Sequence, residues 1–295
     1  MDALKQLRVV RHLFELSGID NADREAELIC AGCLGIDRLH LYKDNPELSI
    51  DTLSAIDAFV KRRIKREPLQ YILGHVEFFG LKIKVGPGVL VPRPETELLA
   101  EEAIKTVGRK SLEVKGISSR DLHLVPLRIL DLCTGSGCLA LALAEEFPGA
   151  VVYGTDTSER ALQFARDNAD INKIRNTKFL KGNLFDPLKT SDLTFDLIIS
   201  NPPYIKRNEI PYLQTEIKDW EPLQALDGGE DGLEYYRMII PEAGIFLKEY
   251  AYLMIEIGIN QAEMVKQIAA GAGFKNISLI KDYAGIERIV ILQKE

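Results

Sequence analysis

The sequence has no long hydrophobic run, no uninterrupted apolar stretch near its start and no excess of positive charge. A membrane-spanning helix needs about 20 consecutive apolar residues, and none of the apolar runs in the 295 residues approaches that length. The N-terminal MDALKQLRVVRHLFELSG has charges throughout, so it lacks the apolar core of a signal peptide. A formal net charge of −7 argues against a dedicated nucleic-acid binder. We therefore expect a cytoplasmic protein without membrane association or stable nucleic-acid binding.

Cysteine is also scarce, with four residues in two close pairs. Cys30 and Cys33 form a C-x-x-C pattern, which could serve redox chemistry or supply half of a metal site. The surrounding EAELICAGCLGI has helical periodicity, however, and cysteines at i and i+3 on an apolar helix face usually act as small core residues. We expect no metal site. With 46% hydrophobic and 27% charged residues, the composition is that of a soluble globular protein.

Residues 1 to about 73 have helical periodicity only, which predicts an N-terminal all-helical domain over 1–73. Asn21 and Asp51 are suited to cap its second and third helices. The third helix ends in the basic KRRIKRE, which either complements the helix dipole or forms a docking patch over Lys61–Arg66. The periodic segments are 4–14, 26–34 and 53–64.

The pattern changes after Gly74. HVEFFGLKIKVGPGVLVPRPETE alternates apolar and polar residues around Gly86–Gly88, which predicts a β-hairpin linker over 74–93. Pro94 and the acidic residues that follow it predict the start of a helix. A polar stretch over 109–126 is typical of a surface insertion or linker.

From Arg128 onward, strand and helix patterns alternate. The last two strand segments are too close for a helical crossover, so we expect the final strand to be antiparallel. The predicted fold class is α/β, with a doubly wound, mostly parallel seven-stranded sheet in a domain over 94–295. The strand segments are RILDL, VVYGTD, TKFLKG, TFDLIIS, YAYLMIEIG, NISLIKD and ERIVILQK.

Two of these strands end in residues that suit a ligand. The first leads into DLCTGSG, where glycines allow a tight turn and close approach of a ligand. The second ends in Asp156, which could accept hydrogen bonds from a ribose diol. Gly135-x-Gly137-x-x-Ala140 with Asp156 also matches the dinucleotide fingerprint, so an NAD-dependent oxidoreductase and a turn without ligand both stay open. Asp131, expected at the mouth of this loop, would repel pyrophosphate and suit a cationic amino-acid group.

The fourth strand is followed by SNPPYI. Pro202 and Pro203 continue neither a helix nor a central strand, so they form a rigid corner with free carbonyls. The target could be a planar NH2 group and the bound group S-adenosylmethionine. In that case the Asn201 side-chain oxygen and the Pro202 carbonyl could accept both hydrogens and align the nitrogen with the methyl group. Tyr204 offers a flat face for the target. A purely structural turn would explain the prolines but not the neighbouring glycine loop.

DLCTGSG, Asp156 and NPPY together resemble the S-adenosylmethionine-dependent amino-group methyltransferases. With VLVPRPETE and EPLQALDGGEDGL added, nearly the whole chain resembles the HemK/PrmC-type release-factor glutamine N5-methyltransferases. The resemblance implies an enzyme that methylates class-I release factors, and we expect a monomer. Because protein interfaces bury about 800 Å² on each partner, we also expect the helical domain, through Lys61–Arg66, to supply much of the release-factor contact. The alternatives are a ribosomal-protein glutamine or a nucleic-acid base as target, or a catalytically silent binding module.

The resemblance also implies a set of site residues. S-adenosylmethionine would be bound by the glycine loop around its methionine part, by Asp156 at its ribose, by two residues beside its adenine, and by Asn201. Asn201, Pro202 and Tyr204 would be catalytic, and with Pro203 would hold the glutamine amide of a Gly-Gly-Gln loop. The loop residues are Cys133, Thr134, Gly135, Ser136 and Gly137, and the adenine residues are Asn183 and Leu184.

Two positions depart from the family pattern. Cys133 stands where the family commonly has glycine, so we expect a backbone φ there that a side chain tolerates. Asn183 stands where the family often has an acid, so a hydrogen bond to the adenine amino group would come from an amide.

Overall fold

The computed structural model describes residues 1–113 and 126–295, the side chains of 109–113 excepted. Most of the predicted 109–126 linker lies outside the described residues. The chain divides into two compact units: Met1–His75 with Gln214–Trp220, the helical unit, and Val76–Leu213 with Glu221–Glu295, the sheet unit.

The predicted helices and strands occur in the predicted order along the chain, and four further α-helices that the sequence patterns did not predict lie among them. The α-helices are α1 (Ala3–Leu16), α2 (Ala22–Leu34), α3 (Arg38–Asp44), α4 (Ile50–Ile64), α5 (Leu69–Leu73), α6 (Pro94–Glu113), α7 (Cys138–Glu146), α8 (Glu159–Ile171), α9 (Thr215–Lys218), α10 (Glu234–Phe246) and α11 (Ala262–Gly271). The strands are β1 (His75–Phe78), β2 (Leu81–Lys84), β3 (Arg128–Leu132), β4 (Val151–Asp156), β5 (Thr177–Lys181), β6 (Phe195–Ser200), β7 (Leu247–Glu256), β8 (Asn276–Lys281) and β9 (Glu287–Gln293). None of the described helices is long and apolar enough to span a bilayer.

Helices α1 to α5 surround one apolar core, to which Phe14, Ile29 and Ile56 contribute fully buried side chains. Ser49, not the predicted Asp51, caps α4, because its hydroxyl accepts the Thr52 N–H at 3.0 Å. Cys30 and Cys33 belong to this core as free thiols, and burial raises the pKa of both.

Ion pairs within the helical unit occupy most of the basic segment at the end of α4. Arg63 is only 5% exposed and donates to Glu25 at 2.5 Å and to Glu216 at 2.9 Å. Arg62 forms a bidentate pair with Glu67 at 2.8 and 2.6 Å. The hypothesis of a continuous docking patch over 61–66 is therefore wrong at Arg63, which is a buried structural residue.

The hairpin is shorter than predicted and turns elsewhere. Strands β1 and β2 form a two-stranded sheet, joined by Phe79 and Gly80. Both joining residues have positive φ, 50° and 76°, as a type I′ two-residue turn requires. The Gly86–Gly88 segment, where we predicted the turn, instead follows the hairpin and leads towards the cavity described below.

The sheet unit contains one seven-stranded sheet in the order β5-β4-β3-β6-β7-β9-β8. The strands from β5 to β7 in this order pair in parallel, and β9 is antiparallel to both of its neighbours. The predicted fold class is confirmed. Strand β3 leads to β4 on one side while β6 pairs on its other side, so the switch point of the topology lies at β3.

Candidate active site

A solvent-open cavity lies at the carboxyl ends of the central strands, with about 940 Å³ of empty space when the adjoining solvent is included. Leu132 at the end of β3 is in register with Thr155 of β4 and with Ser200 of β6. The residues after these three positions therefore emerge side by side. The lining residues include Val89, Leu90, Pro92, Thr96, Cys133, Gly135, Ser136, Thr155, Asp156, Asn183, Leu184, Asn201, Pro203, Pro222, Gln224 and Tyr235.

Asp131 lies beneath the glycine loop. The expectation that it lies at the mouth of the loop is therefore wrong. Its side chain is buried, and its Oδ2 accepts from the Thr134 hydroxyl at 2.6 Å and from the Ala140 N–H at 3.2 Å. The carboxylate thus ties the loop to the first turn of α7. Burial raises the pKa of Asp131 to about 7, against the opposing effect of these hydrogen bonds.

The backbone of the loop is left-handed at three positions. Cys133, Gly135 and Gly137 have φ of 58°, 54° and 81°. The expectation that Cys133 has a φ easily tolerated by a side chain is wrong, because this region disfavours residues with a Cβ. At Gly137 space is also limiting, since an added Cβ would lie 3.0 Å from Cβ of Ala165 on α8. Gly137 and Thr134 do not themselves line the cavity, whereas Cys133, Gly135 and Ser136 do.

Asp156 joins the loop to the end of β4. Its Oδ2 accepts from the Gly135 N–H at 2.9 Å and its Oδ1 from the Ser158 N–H at 2.8 Å. Burial raises its pKa in spite of these bonds. Asp156 also lines the cavity, as do Asn183 and Leu184 of the segment after β5. Each carboxylate oxygen has a further lone pair for a ligand hydroxyl.

The corner after β6 presents two of its four predicted residues to the cavity. Asn201 and Pro203 line it, while Pro202 and Tyr204 do not. Asn201 Nδ2 donates to Thr96 Oγ1 at 2.9 Å. The Tyr204 hydroxyl donates to Glu256 Oε1 at 3.3 Å, and the ring packs against the core of the sheet unit. The expected flat face of Tyr204 is therefore not part of the described cavity wall.

Three residues that support this corner, Thr96, Glu256 and Gln261, were not predicted from the sequence. Thr96 donates to Glu256 Oε2 at 2.8 Å, and Gln261 Nε2 donates to the Tyr204 carbonyl at 2.9 Å. A signal for Glu256 was present, because it is the one acid in the apolar run YLMIEIG and a buried acid in a strand calls for partners. Burial, together with the charge of Glu95, raises the pKa of Glu256 to about 7. Hydrogen bonds from Thr96 and Tyr204 and the charge of Arg288 act in the opposite direction and lower it.

The chemistry of the cavity suits S-adenosylmethionine better than a dinucleotide. Among the described residues that line it there is no lysine or arginine to neutralise a pyrophosphate, and Asp156 is the one carboxylate. The wall also contains a buried polar atom, Thr155 Oγ1, that has no hydrogen-bond partner in the described chain. Apolar residues such as Leu139 and Leu184 complete a surface that fits an uncharged base beside a cationic group. Within the described residues no group of three His, Cys, Asp or Glu side chains could hold a metal ion.

Comparisons with known proteins decide the family. Residues 125–270 match the family described as "Methyltransferase domain", and residues 5–74 match the "PrmC N-terminal domain". A release factor glutamine methyltransferase of Thermodesulfovibrio yellowstonii is 44% identical over 294 residues, which cover 100% of this chain and 99% of the relative. The chain belongs to the release factor glutamine methyltransferase family. Its Geobacter sulfurreducens relative of the same name is 43% identical, over 92% of this chain and 90% of the relative.

Solved structures agree on the fold of this family member. A methyltransferase from Pyrococcus furiosus is 20% identical, with a TM-score of 0.50 over 83% of this chain and 98% of that one. The hMettl16 catalytic domain is 14% identical, with a TM-score of 0.53 over 83% of this chain and 82% of that one. At such identities the likeness concerns the fold alone. The family makes the chain an S-adenosylmethionine-dependent methyltransferase, so the oxidoreductase alternative is not supported.

Proposed function

We propose that this enzyme methylates the side-chain amide nitrogen (N5) of the glutamine in the Gly-Gly-Gln loop of class-I peptide chain release factors. The observation that carries the proposal is the orientation of Asn201. Its Nδ2 donates to Thr96, which leaves its Oδ1 as the acceptor for a substrate, and Asn201 is among the residues that line the cavity. Full-length relatives named release factor glutamine methyltransferase support this substrate over the alternatives.

On the cofactor side, we assign the loop Cys133–Gly137 to the methionine part, Asp156 to the ribose, and Asn183 and Leu184 to the adenine. When bound, S-adenosylmethionine supplies an electrophilic methyl group on a sulfonium centre. Asp156 is held by two backbone N–H groups, which fixes its direction before any ligand arrives. Thr134 and Gly137 act indirectly, by shaping the turn. Asn201 lies on the same wall, within the region that would adjoin the methyl group.

On the substrate side, the corner compensates for the weak nucleophilicity of an amide nitrogen, whose lone pair is delocalised. The Asn201 Oδ1 would accept one amide hydrogen. The carbonyl of Pro202, which is not itself a lining residue but lies between the lining residues Asn201 and Pro203, would accept the other. These acceptors would align the nitrogen and stabilise the positive charge that develops on it during transfer. Pro203 contributes to the wall, and Tyr204 braces the corner through its carbonyl and hydroxyl. Catalysis would thus come from positioning and directed acceptors.

A protein substrate needs more contact area than a cavity rim supplies, since stable interfaces bury about 800 Å² on each partner. We propose that the domain over 1–73 provides release-factor contacts, that 74–93 links it, and that 94–295 performs the transfer. The match of residues 5–74 to the PrmC N-terminal domain supports a dedicated module there. Lys61 and Lys65 are exposed on its basic segment, unlike Arg63.

Mass spectrometry tests the proposed substrate directly. The enzyme is incubated with S-adenosylmethionine and, in separate reactions, with a purified class-I release factor, ribosomal proteins and RNA. We expect one methyl group on the Gly-Gly-Gln glutamine of the release factor, and none with the variant Asn201→Ala. Methylation of a ribosomal-protein glutamine or of a nucleic-acid base instead would contradict the proposal.

A further inference from the structure

Asn201 is hydrogen-bonded to a buried relay of one hydroxyl and one carboxylate, in which Thr96 also lines the cavity and Glu256 does not. Thr96, in the first turn of α6, is 2% exposed, and Glu256, at the end of β7, is 1% exposed. The relay runs from Asn201 Nδ2 to Thr96 Oγ1 at 2.9 Å and from Thr96 Oγ1 to Glu256 Oε2 at 2.8 Å. The function proposed above uses none of these contacts except the one on Asn201.

The direction of this relay follows from the chemistry of its members. An ionised carboxylate only accepts hydrogen bonds, and a threonine hydroxyl has a single proton to donate. When Glu256 is ionised, as it is above its pKa of about 7, that proton is committed to Glu256 and Thr96 presents only lone pairs to Asn201. The nitrogen of the Asn201 amide, and not its oxygen, must therefore face Thr96. The oxygen is turned towards the cavity as a consequence.

The opposite orientation would place two oxygens without a proton between them, at Asn201 Oδ1 and Thr96 Oγ1. It would also present the Asn201 NH2 group to the NH2 group of the substrate, so that two donors would meet with no acceptor. Asparagine has nearly the same shape in both orientations, so packing alone cannot select between them. Hydrogen-bond direction can.

We propose that Thr96 and Glu256 are positioning residues that set the amide orientation of Asn201 and so make its oxygen available to the substrate amide. The inference rests on the proposed function, because it assumes that Asn201 Oδ1 accepts a hydrogen from the target. It adds two residues that act through Asn201, because each of them affects the orientation of the Asn201 amide.

The surroundings of Glu256 favour this direction. The Tyr204 hydroxyl donates to its second oxygen at 3.3 Å, so both carboxylate oxygens accept and neither is called on to donate. Strand β7 pairs with β6 at Ile255 and Ser200, directly before Glu256 and Asn201. The acceptor and the amide that it orients are thereby fixed on adjacent strands.

The test compares Thr96→Val with Thr96→Ser in the full-length enzyme. Valine keeps the shape but removes the hydroxyl, so the Asn201 amide loses its fixed orientation, whereas serine restores the relay. We expect kcat for release-factor methylation to fall on the order of tenfold or more in Thr96→Val. KM for release factor and Kd for S-adenosylmethionine should stay within about threefold, because the contacts that bind both are intact. Thr96→Ser should regain most of the lost kcat.

Glu256→Gln provides a second variant if Thr96→Val does not fold. Its amide NH2 can donate to Thr96, which then turns its own proton towards Asn201 and favours the wrong orientation. We expect a similar loss of kcat at unchanged KM. Thr177→Val, the same hydroxyl-to-methyl change on edge strand β5 away from the cavity lining, is the matched control and should leave kcat unchanged.

A spectroscopic readout separates orientation from general damage. The side-chain NH2 signals of Asn201, identified by their loss in Asn201→Ala, should shift and exchange faster with water in Thr96→Val but not in Thr96→Ser. Wild-type kcat in Thr96→Val, or a loss in Thr96→Ser equal to that in Thr96→Val, would overturn the proposal. Unchanged Asn201 signals in Thr96→Val would refute the relay, whatever the activity of the variant. If the wild-type enzyme itself methylates no release-factor glutamine, the proposed function is wrong, and this result is distinct from a failure of the relay.

Discussion

The Asp156 carboxylate holds the backbone around it in place and can still accept a hydrogen bond from a ligand in the cavity. It receives the N–H groups of Gly135 and Ser158 and still lies on the cavity wall. Asn201 is similar, because its nitrogen donates to Thr96 and the residue still lines the cavity. In both cases a neighbour occupies one part of a polar group and thereby orients the other part.

Asp156→Ala should weaken S-adenosylmethionine binding about tenfold or more. The substitution removes a charged acceptor for ribose hydroxyls, worth on the order of 1.5 to 3 kcal/mol. Calorimetric titration measures the change, with the exposed Asp192→Ala as a control of the same type. Unchanged affinity in a folded Asp156→Ala enzyme would remove this residue from the site.

Asn201→Ala should reduce kcat for release-factor methylation far more than it reduces affinity for S-adenosylmethionine. At Tyr204 we expect the phenylalanine variant to retain most activity, because the ring that packs against the core remains and the lost hydrogen bond is long, 3.3 Å. Tyr204→Ala should be nearly inactive. Equal losses in the two Tyr204 variants, measured by steady-state kinetics, would show that the hydroxyl is the essential part.

Glu256 should make stability depend on pH in a defined direction. Burial raises its pKa from 4.5 to about 7 in the folded enzyme. The folded state therefore binds the proton more tightly than the unfolded state, so the burial of this group destabilises the fold as pH rises from about 4.5 through 7. Glu256→Gln removes the titration. Its unfolding free energy relative to wild type should rise by about 3 kcal/mol between pH 4 and pH 8.

Urea unfolding at several pH values measures this difference, with the exposed Glu263→Gln as a control that should show none. A difference between Glu256→Gln and wild type that is independent of pH would mean that Glu256 has an ordinary pKa in the folded enzyme.

At the scale of elements, α2, α4 and α9 meet at a single buried guanidinium. Arg63 on α4 joins Glu25 on α2 and Glu216 on α9. The pairing explains why residues 214–220 belong to the helical unit although they follow the corner at Asn201 by only a short loop. A buried charge of this kind is stable only while its partners remain.

Arg63→Ala should lower the free energy of unfolding by about 3 kcal/mol or more, because it leaves two partly buried carboxylates without their partner. Lys61→Ala two positions earlier is the matched control, since that side chain is 71% exposed, and should change stability by no more than about 0.5 kcal/mol. Equal effects of the two substitutions in urea unfolding would show that the buried ion pairs of Arg63 contribute no more to the free energy of unfolding than an exposed lysine does.

The elements of the sheet unit were predictable because each strand is a short apolar run that ends in turn residues. Helix α10 was missed, although Tyr236, Ile239, Ile240 and Ala243 have helical spacing, because Pro241 lies inside it. The hairpin turn was misplaced because two glycine-containing segments compete for it. Partnerships such as Thr96 with Glu256 or Arg63 with Glu216 join residues 160 and 153 positions apart, and no local pattern reveals them.

At the scale of the whole molecule, the proposal divides labour between a module that contacts the release factor and one that transfers the methyl group. The cavity and the corner at Asn201 belong entirely to the sheet unit. Under this proposal, a short peptide with the Gly-Gly-Gln sequence would need only that unit, whereas an intact release factor would use both. The two substrates therefore report separately on the two modules.

Changing Lys61 and Lys65 together to glutamate should raise KM for intact release factor about tenfold and leave kinetics with the peptide unchanged. Both side chains are exposed, so the fold should tolerate the change. Lys43→Glu, also exposed in the helical unit, controls for charge reversal as such. An unchanged KM for release factor in the double variant would exclude this basic segment from the contact.

A crystal structure of the enzyme with S-adenosylhomocysteine and a peptide that contains the Gly-Gly-Gln glutamine tests the assigned role of Asn201 most sharply. We expect the glutamine amide nitrogen to lie about 2.7 to 3.2 Å from both Asn201 Oδ1 and the Pro202 carbonyl oxygen. Asn201 Nδ2 should remain hydrogen-bonded to Thr96, as it is in the structure described above. A glutamine amide bound by other groups, or an Asn201 that turns its nitrogen towards the substrate, would show that this role is wrong.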